Sequence, residues 1–232
     1  MRVVYNFINY QYIIDMENNK IYNIDCFEGF KMLDDKCVDH VFTSPPYNRL
    51  RNDRYSHYND NIKDYFGFLC NTIDECLRVS KGFVFFNIMK NYYNKEDVFK
   101  LIGHYHKEIV DIHIWQKSNP LPASGKSVTN AYEFFIILGD SSLKSNTTYT
   151  KNIITTSVNS KMPKEHKAVM NKEVADWFID KFTTEGDLIL DPFMGCGTTA
   201  VSCIELNRSY IGFELQKEYV EIAEDRIKKE NL

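Results

Sequence analysis

No Cys-x-x-Cys pair occurs in this chain, and its six cysteines (Cys26, Cys37, Cys70, Cys76, Cys196, Cys203) lack histidine partners at zinc spacing. No metal site is expected. At 232 residues a disulfide framework is not expected either, and a reduced cytoplasmic setting fits better. Long apolar runs are also missing. Stretches such as residues 134–138 are far too short to span a bilayer, so no membrane partner is expected. The N-terminal MRVVYNFINYQYIID has neither a long apolar core nor a small-residue cleavage site, which argues against a signal peptide. Repeats and low-complexity tracts are absent. There is no positive excess, since the formal net charge is −4. An indiscriminate coat for nucleic acid is thereby disfavoured, while a local basic cleft stays open.

What is present reads as a soluble globular chain, 44% hydrophobic and 26% charged, long enough for one α/β domain with a sizeable core. Residues 1–20 read as an N-terminal extension, with Met16 as a second candidate start, and residues 21–232 as the main domain. Residues 20–24 look like a strand and 27–33 like a helix. Residues 38–43 alternate like a buried strand, which Pro45 and Pro46 must end because two prolines cannot continue a ladder. Residues 49–64 are polar, aromatic and charged without period, and read as a mobile loop. Helical spacing marks residues 65–79, 95–105, 172–182, 198–206 and 217–229. Strands are expected at 82–88, 109–116, 132–138, 187–190 and 210–213. Residues 139–165 show little periodicity. Strands alternating with helices indicate a doubly wound, mostly parallel sheet.

Two segments carry chemistry. In the first, the apolar strand ending at Asp191 runs into Pro-Phe193-Met-Gly195-Cys-Gly197-Thr198-Thr199. The glycines let backbone approach a ligand closely, and Thr198 or Thr199 can cap the following helix. About 20 residues on, a second strand ends in Glu214, placed to take the hydroxyls of a ribose. This is not the GxGxxG of a dinucleotide site. S-adenosylmethionine has no pyrophosphate, and its sulfonium and ammonium charges suit an acid such as Asp191. The plainer alternative is a strand-to-helix turn whose glycines serve geometry alone.

The second segment is Thr43-Ser44-Pro45-Pro46-Tyr47-Asn48. An exocyclic amino nitrogen is a poor nucleophile because its lone pair is conjugated with the ring. Ser44 Oγ and the Pro45 carbonyl are two acceptors in a stiff frame set by Pro45 and Pro46. They can hold both N–H bonds so that the nitrogen turns towards sp³. Tyr47 offers a flat face for an extruded base. The alternative is a proline turn with Tyr47 as packing.

TSPPYN followed far downstream by DPFMGCGTT and GFE resembles the β class of DNA amino-methyltransferases, in which the catalytic motif precedes the cofactor motif. The resemblance covers residues 21 to about 230 and implies a Rossmann-like methyltransferase fold with a small inserted recognition segment. It implies that Asp191, Phe193, Gly195 and Gly197 shape the methionine pocket, with Thr198 also a cofactor-binding candidate, that Glu214 binds ribose, and that Asp25 and the backbone of Cys26 meet the adenine. For Asp25 a helix-capping role is an equal alternative. His166 and Lys167 occupy the place of a stretch bordering the methionine, although its proline and glutamine are missing here. Trp115-Gln-Lys117-Ser-Asn119-Pro120-Leu-Pro122 resembles a segment beside the active site.

Double-stranded DNA is the implied partner, with Asn48, Arg49, Arg51, Lys117 and Asn119 as candidate contacts. Arg49, Arg51 and Arg54 lie just after the catalytic motif. Between residues 141 and 167 five lysines face one acid, which places a recognition insert at about 139–163. For any single lysine, solvation of a surface loop is the plainer reading. A homodimer and a cognate restriction nuclease also follow from the resemblance. Ser in the first motif position favours N4 of cytosine over N6 of adenine. C5 methylation is disfavoured because no cysteine follows a proline, and RNA or protein-amide enzymes place the cofactor motif first. A binding module without catalysis is the reading from another class.

Overall fold

The computed structural model describes residues 16–49, 61–120, 122–123, 125, 127–158 and 169–230. In chain order these form β1 (Lys20–Tyr22), α1 (Cys26–Phe30), β2 (His40–Thr43), α2 (Tyr65–Val79), β3 (Val84–Ile88), α3 (Lys95–His104) and β4 (Ile109–Lys117). There follow β5 (Tyr132–Leu138), β6 (Ile153–Thr156), α4 (Lys172–Phe182), β7 (Leu188–Asp191), α5 (Thr198–Glu205), β8 (Ser209–Phe213) and α6 (Lys217–Glu230). The strands make one eight-stranded sheet in the order β1-β8-β7-β2-β3-β5-β4-β6. Every neighbouring pair is parallel except those of β5, which runs against both β3 and β4. The sheet is mostly parallel, as expected.

Pleating explains the two layers. Val84, Phe86 and Ile88 of β3 point into one core with Leu69, Ile73 and Cys76 of α2 and with Val98 and Leu101 of α3. Phe85 points the other way, into a core with Val174, Phe178 and Phe182 of α4, Ala200 and Cys203 of α5, and Val220 and Ala223 of α6. A central strand covered on both faces has no polar side to show, so its sequence is apolar almost throughout. Phe178 anchors the second core, with ring centroids of Phe135, Phe85 and Phe42 at 4.1, 5.5 and 5.8 Å. Truncating it to alanine would remove about 3–5 kcal/mol.

Two local departures have physical causes. The helix expected at 27–33 closes at Phe30, because Met32 and Leu33 turn back to the carbonyls of Gly29 and Phe30. Within the stretch without period, β6 pairs parallel with β4 from Ile114↔Ile153 to Lys117↔Thr156. This edge strand buries only Ile154 and Thr156, too few positions to stand out as alternation. Part of the segment assigned to a recognition insert therefore belongs to the sheet. Among the described residues no helix is long and apolar enough to cross a membrane.

Candidate active site

The carboxyl ends of β1, β8, β7 and β2 lie side by side in the sheet, so the segments after them share one edge. That edge is where ligands bind in open α/β sheets. A surface depression lined by Lys107, Glu108, Val110, Gly139 and Ser142 opens instead beside the start of β4 and the end of antiparallel β5, at the opposite edge.

On the cofactor side, Glu214 is held from two directions. Its Oε2 accepts from Gly195 N and its Oε1 from Gln216 N, each at 2.8 Å. Burial raises the Glu214 carboxyl above its ordinary range. Gly195 has φ +53°, and among the described residues no atom beyond its chain neighbours stands closer than 4.0 Å to where a Cβ would be. That open space is what a close ligand requires. Gly197 has a different reason: with φ +78°, its missing Cβ would stand 2.8 Å from Ala223 Cβ on α6, so packing demands this glycine.

The helix cap expected from Thr198 or Thr199 is not made. Gly197 stands at the N-cap without a side-chain bond, and Thr199 Oγ1 donates to Asp191 Oδ2 at 2.5 Å. Thr198 is buried, with Arg226 Nη1 3.4 Å from its hydroxyl. Asp191 is 4% exposed, and its Oδ1 also accepts from Thr43 Oγ1 at 2.9 Å and Phe193 N at 3.0 Å. Its carboxylate thus braces the turn from inside. Half-buried Phe193 places its ring 5.9 Å from that of Phe68 on α2. Asp25 caps α1 by accepting from Phe27 N at 2.9 Å, the capping alternative read in the sequence. Its neighbour Cys26 is buried, and burial, reinforced by Asp25, pushes its thiol up to about 12. Both lie beside Glu214, whose backbone pairs with Ile24 and Tyr22.

On the other side, the Ser44–Tyr47 loop after β2 is gripped along its length. Tyr65 Oη donates to the Pro46 carbonyl at 2.6 Å, and Asn91 and Asn94 both donate to the Tyr47 carbonyl at 2.8 Å. Ser44 Oγ lies 2.8 Å from Tyr47 Oη and 3.0 Å from Asn87 Oδ1. Tyr47 Oη is also 2.5 Å from Asn87 Oδ1 and 2.8 Å from Glu133 Oε2. Burial, then the negative Glu133, holds the Tyr47 phenol well above its ordinary range. The result is a cluster rich in acceptors beside half-exposed Ser44, suited to a substrate that brings N–H donors.

The model of a DNA methylase family of the N6/N4 type matches residues 38–225, which takes in both halves of this site. The chain belongs to that family. Type II beta methyltransferase M.BslI of Bacillus sp. is 30% identical over 89% of this chain, which spans 27% of that relative. Type II methyltransferase M.HinfI of Haemophilus influenzae is 25% identical over 91% of this chain and 68% of its own. Among solved structures, PvuII DNA methyltransferase (cytosine-N4-specific) matches with TM-score 0.75 at 18% identity, over 91% of this chain and 86% of that one. An M1.HpyAVI–SAM complex matches with TM-score 0.68 at 23% identity, over 90% and 98%. These likenesses carry the Rossmann-like methyltransferase fold.

The described residues expected on DNA all make contacts within the chain. Asn48, 6% exposed, closes a loop by exchanging two bonds with Ile62 backbone, at 2.9 and 3.1 Å. Arg49 lies over the Tyr47 ring at 5.9 Å. Lys117 turns inward: its Nζ is 2.5 Å from Glu133 Oε1 and 5.2 Å from the Trp115 ring centroid. Asn119 is exposed, and its Oδ1 accepts from Val158 N at 2.6 Å. Arg51, His166 and Lys167 lie outside the described residues, as does most of the loop at 49–64. The sequence reading missed Asn87, Asn91, Asn94 and Glu133. Asn87 and Glu133 had a signal, since each is a lone polar residue inside an apolar strand, FVFFNI and YEFFIIL.

Proposed function

We propose that this DNA methylase transfers a methyl group from S-adenosylmethionine to the exocyclic amino nitrogen of a base flipped out of duplex DNA. We assign N4 of cytosine ahead of N6 of adenine, and the β class of motif order. The observation that carries the reading is the Thr43–Asp191 bond, which ties the start of the catalytic loop to the glycine turn. The residues fit the cofactor: open space over Gly195, a carboxylate at Glu214 and the ring of Phe193 lie on one edge. Asp25, Cys26 and Glu214 would hold the nucleoside, and Phe193 with the backbone of Gly195 the methionine part. When bound, the cofactor supplies a methyl group on a sulfonium that is already a good leaving group, so no covalent enzyme intermediate is needed.

The chain supplies orientation. Ser44 Oγ and the Pro45 carbonyl accept the two N–H bonds of the amine and so direct its lone pair away from the ring. Tyr47 stacks on the extruded base. Ser44 in the first motif position, where an acid would suggest adenine, supports cytosine. Duplex DNA is the proposed partner, and a homodimer and a cognate nuclease are carried over from the family resemblance.

The test is transfer of labelled methyl from S-adenosylmethionine to unmethylated genomic DNA, with Ser44→Ala and Tyr47→Ala as controls. Incorporation by the wild type and its loss in both variants are expected. DNA binding without incorporation would instead identify a module without catalysis. Single-molecule sequencing of DNA from expressing cells identifies the base, and methylated adenine would reassign it.

A further inference from the structure

The oxygens that meet behind the catalytic loop outnumber the protons available to join them. Ser44 Oγ, Tyr47 Oη, Asn87 Oδ1 and Glu133 Oε2 make four contacts of 2.5 to 3.0 Å. Ser44 and Tyr47 bring one hydroxyl proton each, whereas an amide oxygen and an ionised carboxylate bring none. Asn87 cannot be turned to help, because its Nδ2 donates to the Phe134 carbonyl at 3.1 Å. Two of the four contacts therefore lack a proton, and oxygens held this close repel without one. A third proton, placed on Glu133, leaves only one of the four contacts without one. Glu133 then donates to Tyr47, Tyr47 to Asn87 across 2.5 Å, and Ser44 to either neighbour. The cluster is shaped to take up one proton, and Ser44 is its half-exposed end.

We propose that Ser44, Tyr47 and Glu133 form a proton exit path, with Glu133 accepting the proton that an amino nitrogen must shed once it is methylated. This rests on the methyltransferase reading above and adds to it the fate of the proton. A nitrogen bearing the ring, a methyl group and two hydrogens is cationic. One N–H bond breaks, its electron pair stays on nitrogen, and the proton passes to Ser44 Oγ. Ser44's own proton crosses 2.8 Å to Tyr47 Oη, and Tyr47's crosses 2.8 Å to Glu133 Oε2. A neutral methylated amine, two intact hydroxyls and a neutral Glu133 remain. When the product base leaves, the proton returns to water by the same route. No electrons change hands and no co-reactant is needed.

The surroundings fit this use. Lys117 Nζ sits 2.5 Å from the other oxygen of Glu133, in a pair with side chains 13% and 5% exposed. It balances the carboxylate between turnovers, and the protein shields the pair from bulk water. The raised Tyr47 phenol lets Tyr47 pass a proton on without standing as a phenolate. Glu133 acts through Tyr47 and never meets the substrate, so it is a positioning residue.

The test compares single-turnover methylation of genomic DNA by the wild-type chain, Tyr47→Phe, Glu133→Gln, Glu133→Asp and the Tyr47→Phe/Glu133→Gln double variant, with DNA and cofactor binding measured in parallel. Tyr47→Phe keeps the stacking ring and removes only the relay oxygen. The path predicts that each of Tyr47→Phe and Glu133→Gln slows the rate by about tenfold or more with binding unchanged. The double variant is no slower than the slower single one, and Glu133→Asp recovers part of the rate. Infrared difference spectra of the chain without cofactor or DNA give a readout independent of turnover. Acidification produces a carboxylic C=O band that Glu133→Gln lacks and Tyr47→Phe shifts. If Glu133→Gln does not fold, Tyr47→Phe decides alone. A wild-type rate in Tyr47→Phe overturns the path and leaves the methyltransferase reading standing, whereas no incorporation by the wild type overturns both.

Discussion

Thr43, the last residue of β2, donates its hydroxyl to Asp191, the last residue of β7, across 2.9 Å. Both side chains are buried. The Ser44-Pro45-Pro46-Tyr47 loop starts directly beyond Thr43, and the glycine turn begins directly after Asp191. Because Asp191 also takes the hydroxyl of Thr199 on α5, one carboxylate joins two strands and a helix. Thr43→Val keeps the shape and removes one donor from a buried charge. Its expected loss is about 1–3 kcal/mol, seen as a lower melting temperature, with methyl transfer falling more than DNA affinity. An unchanged melting temperature would mean that the bond contributes nothing.

The same carboxylate gives the fold a pH dependence. Burial raises the Asp191 carboxyl from 3.8 to about 6, against the pull of Thr199, the Phe193 amide and Thr43. An acid with a folded pKa above its unfolded one adds stability that is complete below the unfolded pKa. That stability is lost as pH rises through the folded one. The amount at stake is on the order of 3 kcal/mol. Asp191→Asn should therefore gain on the wild type between about pH 4 and about pH 7, as read from paired melting curves. Glu214 is raised in the same direction and its charge adds to the rise at Asp191, so the difference reports Asp191 together with its coupling to Glu214. A constant gap across that range would refute the assignment.

The two glycines of the turn should separate fold from ligand. Alanine at Gly197 must take φ +78° and meet Ala223 Cβ at 2.8 Å, so α6 has to move. Gly197→Ala is expected to lose well over the 1–2 kcal/mol of a left-handed alanine alone. Gly195→Ala meets only that backbone term, since the space beyond it is open. It should lose only about 1–2 kcal/mol, less than Gly197→Ala, yet bind S-adenosylmethionine weakly in calorimetry. Equal melting losses with intact binding would show that both glycines serve geometry alone.

What could be read in advance follows from how each signal is written. The bounds of α2 and α4 were legible because Leu69, Ile73 and Cys76, and Val174, Phe178 and Phe182, recur at helical spacing. The end of β2 was legible because two prolines cannot extend it. The strand β6 was not, with only Ile154 and Thr156 buried. Lys117 was expected on DNA because it adjoins a motif segment, and its inward turn towards Glu133 was not read. It lies two residues from buried Trp115, though, and alternation puts both on one face. Trp115 pairs across the sheet with Glu133, so the partner was also within reach of pattern reasoning once the hairpin was assumed. Asn91 and Asn94 had no such pattern, since their partner is a backbone carbonyl that only the folded loop brings near.

Asn94 tests how far the loop depends on that grip. It is fully buried, its Nδ2 donates to the carbonyls of Tyr47 and Met89 at 2.8 and 3.0 Å, and its Oδ1 accepts from Asn91 N at 2.7 Å. Asn94→Ala strands these groups without water, and a loss of about 2–4 kcal/mol is expected. Asn94→Asp keeps the volume but turns an oxygen towards two carbonyls. It should be at least as harmful at neutral pH and recover in acid, where a protonated carboxyl can donate again. Asn91 still reaches the Tyr47 carbonyl, so the loop keeps one anchor and the single-turnover rate should fall without vanishing. Wild-type melting and rate in Asn94→Ala would mean that Pro45 and Pro46 alone hold Ser44 in place.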